Sequence, residues 1–367
     1  MQSELTAAAS GDTQLPSAPV FASIRRLIID WQREHGRHHL PWQQAPRPYH
    51  VLISEVMLQQ TQVSTVIPYF QRWLQRFPDF TALAQAPLDD VLAEWQGLGY
   101  YARARNLHKA AQYVVAEYGT ELPAQVAQLR EIPGIGPYTA GAIANFAFDQ
   151  PAPIVDGNVK RLFARLFRIP GHVGLGSFER AAWRYAEALT PAKSEPGDAR
   201  ALAQGLLDIG ATLCKPKQAN CAACPLTSNC GAYQHQQVNA YPAPKPKRQQ
   251  PTRAWQFIWD RQGDQLLLEQ RPHKGIWGGL WCLPQLQDTL APDAAETRDA
   301  VLHGEFLHTF THFKLQARVL DSGFITQPPW QFSANDKMYV PLAKLDEFGL
   351  PAPIKQYISD QLALACR

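Results

Sequence analysis

Charge is scarce in this 367-residue chain: Asp, Glu, Lys and Arg make up 18% of it, against 46% hydrophobic residues. That balance excludes an intrinsically disordered chain, which needs high charge and few apolar groups to stay unfolded. Long apolar runs are missing as well. None approaches the roughly 18 residues that a membrane helix requires, and the N-terminus lacks a basic-then-apolar signal pattern. A soluble, cytoplasmic protein without a membrane partner is expected. Nor does one sign of charge dominate, since 35 basic and 32 acidic residues leave a net +3. A balance so mild does not mark a nucleic-acid binder, so any basic footprint has to be local. Cysteine is sparse too, six in all. Four of the six nevertheless fall between positions 214 and 230. Without a secretory signal, such a cluster reads as a metal site before it reads as disulfides.

At about 150 residues per domain the length predicts two to three domains, and it suffices for a core without disulfide staples. Residues 1–20 are rich in Ala, Ser, Thr and Pro without periodicity, which predicts a flexible terminus. From Phe21 to about Gly231 apolar residues return every three or four positions, as in Leu52, Val56, Val63, Val66, Phe70, Trp73 and Phe77. Pro and Gly punctuate that stretch densely, so an all-α region of several short helices is expected, with no strand. Residues 232–253 change character. Tyr241–Arg253 holds four prolines, four basic residues and no acid, the composition of an extended basic linker. Beyond it the texture becomes β: residues 254–259 and 265–269 flank the hairpin signal Arg261-Gln262-Gly263-Asp264. Residues 316–325 and 338–342 predict further strands, and 352–366 a final helix. The fold class is therefore multidomain, α followed by α+β.

Three motifs carry chemistry. Cys214-x6-Cys221-x2-Cys224-x5-Cys230 contains a single CxxC, whereas zinc ribbons pair two. Its uneven spacing suits an iron–sulfur cubane, whose corners lie farther apart than the ligands of one ion. Cys282 and Cys366 lie outside the cluster and read as ordinary side chains. Leu129 to Ile143 reads as helix, Gly-x-Gly turn, helix. There Gly134 and Gly136 permit a tight turn whose N–H groups can bind phosphate at a helix N-terminus. Downstream, Asp156-Gly-Asn158-Val-Lys160-Arg161 is followed at helical spacing by Arg165 and Arg168. With no acid among them, these cations read as a stripe facing a phosphate backbone.

Together these motifs resemble the endonuclease III superfamily of helix-hairpin-helix DNA glycosylases. Leu40-Pro41-Trp42, Ser54-Glu55-Val-Met-Leu-Gln-Gln-Thr-Gln-Val63 and Gly97-Leu-Gly-Tyr-Tyr-Ala-Arg-Ala-Arg105 narrow the resemblance to MutY-type adenine DNA glycosylases. It spans the chain from about residue 21, more loosely beyond 231. It implies a glycosylase domain over 21–231, with one 4Fe-4S cluster on the four cysteines of loop 214–230, then linker 232–253. Residues 254–367 are similar to a Nudix domain through Leu266–Arg271 and Gly275–Pro284. The segment after Pro284 lacks the Arg-Glu-x-x-Glu-Glu core that holds magnesium, so recognition rather than hydrolysis is expected of it.

Cleaving an N-glycosidic bond needs an acid for the leaving base and a carboxylate beside the sugar cation. The resemblance gives these roles to Glu55, which also activates water, and to Asp156, with Asn158 in the same set. Apolar neighbours in the chain (Val56 and Met57; Ile154 and Val155) predict raised carboxyl pKa values. Tyr138 stands where strand-cleaving relatives carry a lysine nucleophile. It implies a monofunctional enzyme and is expected to hydrogen-bond Asp156. Gln60 and Tyr100 would fill the gap left by the flipped adenine, and Trp42 and Gln204 would line its pocket. Phe310-Thr311-His312 matches a Phe-Ser-His loop that contacts 8-oxoguanine, with threonine in place of serine. The implied partner is double-stranded DNA carrying A:8-oxoguanine or A:G mispairs, bound in a cleft between two lobes by a monomer in bacterial cytoplasm. Two alternatives are a bifunctional glycosylase for oxidised pyrimidines, disfavoured by Tyr138, and a non-catalytic cluster-bearing DNA binder, which would need neither carboxylate.

Overall fold

The computed structural model describes residues 15–246, 249–272, 275–286, 301–324 and 337–365. Up to Pro246 the described residues form helices and no strand, as the periodicity predicts. Helix α1 (Ala18–His35) buries Phe21, Ile24, Ile28 and Ile29 along one stripe. A single turn, α2 (Pro41–Gln44), leads to α3 (Pro48–Leu58), in which every residue from Val51 to Met57 is buried. A helix buried on all sides has no solvent face, so its one acid, Glu55, is carried inside by its neighbours. Helix α4 (Val63–Arg76) buries Val66, Phe70 and Trp73, and α5 (Phe80–Gln85) is capped by Asp79, which accepts from the Ala82 N–H at 2.8 Å. Then come α6 (Leu88–Glu94), α7 (Ala102–Tyr118) and α8 (Val126–Leu129). Helices α9 (Pro137–Phe148), α10 (Gly157–Leu166), α11 (Gly176–Leu189) and α12 (Asp198–Asp208) follow. The last runs on as a π-helical turn, Ile209–Leu213, and after the cysteine loop comes α13 (Gly231–Gln234).

Internal contacts divide the chain into two units, Met1–Val56 with Glu121–Pro246, and Met57–Thr120 with Lys247–Arg367. In the first, α12 packs against α1, α9 and α10. The second joins α4–α7 to the β-rich part. There β1 (Thr252–Trp259), β2 (Arg261–Gln262), β3 (Gln265–Gln270), β4 (Trp281–Cys282), β5 (Leu302–Thr309), β6 (Lys314–Asp321) and β7 (Lys337–Pro341) precede α14 (Ala352–Ala365). One sheet has the order β1-β6-β5; in the other, β3 pairs with β2, β4 and β7. Trp255, Phe257, Leu266, Leu268, Phe313, Val319 and Ile354 fill the core between these strands and α14.

The hairpin signal at residues 261–264 does close a hairpin, but it joins β2 to β3, with Gln262 opposite Gln265. Strand β1 instead runs parallel to β6, Trp255 opposite Ala317. Strand β5 was not expected from the sequence. It lies at a sheet edge with no residue fully buried, so its apolar pattern is weak. Ile325, Cys366, linker residues 247–248 and the segment 287–300 lie outside the described residues.

Candidate active site

Glu55 is 5% exposed. Burial raises its carboxyl from 4.5 to about 7, helped by the charge of Asp156 and opposed by a hydrogen bond from Tyr138 and by the Arg37 cation. The Tyr138 hydroxyl donates to Glu55 Oε2 at 2.6 Å. The sequence predicts Asp156 as the partner of Tyr138; the partner is instead Glu55, because Tyr138, in the first turn of α9, meets the buried face of α3. Burial and the two nearby carboxylates push the Tyr138 hydroxyl well above 10, so it stays protonated and remains a donor. Arg37 itself is held by Asp208, which accepts from Arg37 Nε at 2.6 Å and from its backbone N–H at 3.0 Å. Sequence reading missed this pair, since it lies across 171 residues of chain.

A pH prediction follows. A general acid works while protonated, so base release should hold below about 7 and fall as pH rises through that value. Tyr138→Phe removes a hydrogen bond that favours the carboxylate, so the alkaline limb of the single-turnover rate should move to higher pH. A limb that stays in place or moves to lower pH would remove Tyr138 as the group that tunes Glu55.

Asp156 serves as the N-cap of α10: Oδ1 accepts from the Val159 N–H at 2.7 Å and Oδ2 from Asn158 Nδ2 at 3.0 Å. Desolvation still raises its carboxyl above 3.8, against those hydrogen bonds and the Arg161 cation. The segment before it can lie close to α9 because Gly141 has no side chain. A Cβ there would come within 2.4 Å of the Pro153 carbonyl oxygen. Asn158 in turn accepts from Arg161 Nη2 at 2.9 Å, and Arg161 Nε donates to the Cys214 carbonyl at 2.7 Å. A continuous chain of hydrogen bonds thus links Asp156 to the cysteine loop.

The expected phosphate-facing stripe is not formed. Lys160 pairs with Glu179 at 2.6 Å, Arg168 reaches Gln237, and Arg161 turns inward. Arg165, 3% exposed, donates to the carbonyls of Lys215, Pro216, Val238 and Tyr241 and lies 3.3 Å from Cys214 Sγ. Loop carbonyls with no helix or sheet to accept from draw the guanidinium groups in. Arg165→Met would strand several of these acceptors, and a loss of about 3 kcal/mol or more is expected. The thermal midpoint should drop by about 5–10 °C; an unchanged midpoint would show that the loop holds itself.

Cys214, Cys221, Cys224 and Cys230 form no disulfide and line one cavity, walled by Leu162, Leu166, Leu213 and Leu226. Burial raises the thiols of Cys221, Cys224 and Cys230, and their crowding around one cavity adds to each rise. Among the described residues no three His, Cys, Asp or Glu side chains converge as ligands of a single ion. Cys282 is buried in the β-rich core.

Trp42 on α2 and Gln204 on α12 are both buried, and Gln204 accepts from Gln32 Nε2 at 3.1 Å. In the hairpin, Gly134 adopts φ +82° and Gly136 caps α9 with extended backbone. In the second unit Gln60 and Tyr100 both have left-handed backbone, and the Tyr100 side chain is exposed. Phe310, Thr311 and His312 form the turn between β5 and β6. Phe310 stacks on Phe313 with ring centroids 4.6 Å apart, while Thr311 and His312 are exposed.

The family model for HhH-GPD superfamily base excision DNA repair proteins matches residues 53–187, and a NUDIX domain model matches 254–360. An adenine DNA glycosylase of Buchnera aphidicola subsp. Schizaphis graminum is 34% identical over 340 residues, covering 91% of this chain and 97% of that protein. The adenine DNA glycosylase of Homo sapiens is 32% identical, covering 84% of this chain and 68% of its own length. Among solved structures, a thermostable thymine-DNA glycosylase superposes with a TM-score of 0.51 at 26% identity, over 59% of this chain and 98% of its own. An endonuclease III–DNA complex shares the fold, with a TM-score of 0.50 at 20% identity, over 60% of this chain and 99% of its own. With a buried carboxyl on α3, a half-buried one capping α10 and a Buchnera relative matched nearly end to end, the chain belongs to the adenine DNA glycosylases of base excision repair.

Proposed function

We propose that this glycosylase hydrolyses the N-glycosidic bond of adenine paired with 8-oxoguanine, or with guanine, and leaves an abasic site. The observation that carries the proposal is Glu55, buried, raised to about 7 and held by the Tyr138 hydroxyl. At neutral pH a substantial fraction of such a carboxyl is protonated, ready to give its proton to adenine N7 and then, as the carboxylate, to take one from water. Asp156, with one oxygen on the Val159 N–H and the other on the Asn158 amide, stands as the fixed charge that meets the oxocarbenium-like sugar. Trp42 and Gln204 line the pocket that receives the flipped base, while Gln60 and Tyr100 occupy the gap it leaves. The exposed Thr311 and His312 contact the 8-oxoguanine, anchored by Phe310 beneath them. Tyr138 supplies no amine, so water is the final nucleophile and the enzyme is monofunctional.

Four thiols around one cavity fit a single 4Fe-4S cluster on Cys214, Cys221, Cys224 and Cys230, whose ligands are spread more widely than those of one ion. Such a cluster would supply the charge that holds these cysteines as thiolates, and Arg165 and Arg161 set the loop that carries them. The enzyme acts as a monomer in the cytoplasm on double-stranded DNA. No described helix is long and apolar enough to cross a membrane.

The test is single-turnover base release from duplexes with adenine opposite 8-oxoguanine, guanine, cytosine or thymine, analysed with and without alkali. Release opposite 8-oxoguanine should exceed that opposite cytosine or thymine by about tenfold or more, the scale of one wrong base contact. Strand breaks should appear mainly after alkali. Equal rates opposite all four partners would overturn the 8-oxoguanine assignment, and breaks without alkali the monofunctional one.

A further inference from the structure

One buried arginine in the second unit has acceptors of a very particular kind. Arg103, on the first turn of α7, is 8% exposed. Its Nη1 donates to the carbonyls of Met57 at 2.9 Å and Gln59 at 2.7 Å. Its Nη2 donates to those of Leu98 at 2.9 Å and Gly99 at 3.1 Å, and approaches the Thr61 hydroxyl at 3.4 Å. These acceptors flank two residues. Met57, Gln59 and Thr61 surround Gln60; Leu98 and Gly99 lead into Tyr100.

Gln60 and Tyr100 have φ of 58° and 49°. Residues with a side chain avoid that left-handed region, and they stay in it only where the surroundings over-determine the backbone. The guanidinium fork does this for both turns at once. It also lies 5.6 Å from the Tyr100 ring centroid, and 5.2 Å from that of Trp95, whose Nε1 donates to the same Gly99 carbonyl at 3.0 Å. Arg103 is not the only tie at this end of α7. Tyr101 donates to the Leu350 carbonyl at 3.2 Å, and Arg105 donates to the carbonyl of Gly278. The helix start is thus fixed by its neighbours, and the Arg103 bonds go to the two turns.

We infer that Arg103 is a positioning residue for base reading: its fork locks the turns bearing Gln60 and Tyr100 into one rigid wedge. The inference rests on the proposed role of those two side chains in filling the gap in the stack. A lysine keeps the charge but offers a point donor without the planar fork, so it cannot span four carbonyls.

The experiment is a double-mutant cycle on the full chain, at a temperature well below the melting of every variant. Arg103→Lys, Tyr100→Ser, Gln60→Ala and the two pairs with Arg103→Lys are compared. The readouts are single-turnover adenine release from an A:8-oxoguanine duplex and the fluorescence of a 2-aminopurine placed beside the target adenine. Arg103→Lys is expected to slow release about tenfold and to weaken the unstacking signal, with affinity for undamaged duplex unchanged. In the Tyr100→Ser or Gln60→Ala background it should cost less than about twofold, because the wedge it serves is already gone. Full additivity in both backgrounds, or a rate loss with a parental 2-aminopurine signal, overturns the positioning role. Should Arg103→Lys prove unstable, Arg103→Gln takes its place in the same cycle. If Tyr100→Ser and Gln60→Ala are both silent while Arg103→Lys is not, the wedge reading itself fails and the inference with it.

Discussion

Glu55→Gln should abolish adenine release, slowing single-turnover excision by about 10³-fold or more, at the upper end of what a positioned general acid contributes. Glutamine keeps the shape, and its Oε1 still accepts from the Tyr138 hydroxyl, so binding to mispaired duplex should persist. The same substitution should raise stability in a pH-dependent way. The Glu55 carboxyl is raised from 4.5 to about 7 on folding. As pH climbs from about 4.5, the unfolded chain loses this proton while the folded chain keeps it, so stability falls until pH passes about 7 and then levels off. That interval corresponds to about 3 kcal/mol at pH 8 and to little at pH 4.5. Melting midpoints of Glu55→Gln and the parent should therefore coincide near pH 4.5 and separate by pH 8, with the variant higher. Unchanged turnover would sink the general-acid role. Midpoints that meet near pH 4.5 and separate by pH 8 with the variant lower would show a carboxylate stabilised by the fold, opposite to what burial on α3 requires.

What the sequence makes legible here is set by how local each feature is. Glu55 stands out because it is the one acid in the apolar run of α3, and burial follows from its neighbours alone. Asp156, just before Gly157 and Asn158, caps α10, and desolvation raises its carboxyl, the direction that its apolar chain neighbours Ile154 and Val155 predict. The Tyr138–Glu55 hydrogen bond joins residues 83 apart, and only the packing of α9 on α3 decides which carboxylate the hydroxyl meets. The arginines of α10 mislead for a different reason. Their partners are main-chain carbonyls of a loop some 50 to 76 residues on, and a carbonyl is invisible in a pattern of side chains. The acid that neutralises Lys160 is Glu179, on the next helix. Pairing across distance also explains the sheet. Strand β1 bonds to β6 in parallel, which the adjacent hairpin signal cannot report.

Asp156→Asn separates catalysis from folding more sharply still. The aspartate has two tasks, capping α10 and, in the proposed mechanism, facing a developing cation. Asparagine caps a helix about as well as aspartate, so the Val159 N–H keeps an acceptor. The second task needs a full negative charge in a desolvated place, and a neutral amide does not supply it. Excision should fall by about 10²–10³-fold, the scale of losing one preorganised electrostatic contact. Stability should not fall with it. Desolvation already raises this carboxyl above 3.8, so at neutral pH the folded chain carries a charge that it holds less well than water does. Removing the charge relieves that cost, and it is offset by one awkward contact, since the new amide can face Asn158 Nδ2, now 3.0 Å from Oδ2. The net change in melting midpoint at pH 7 should be within about 3 °C of zero, in either direction. A large drop in midpoint accompanying the lost activity would mean that Asp156 matters as a cap alone. Retained activity would leave the sugar cation to some other group.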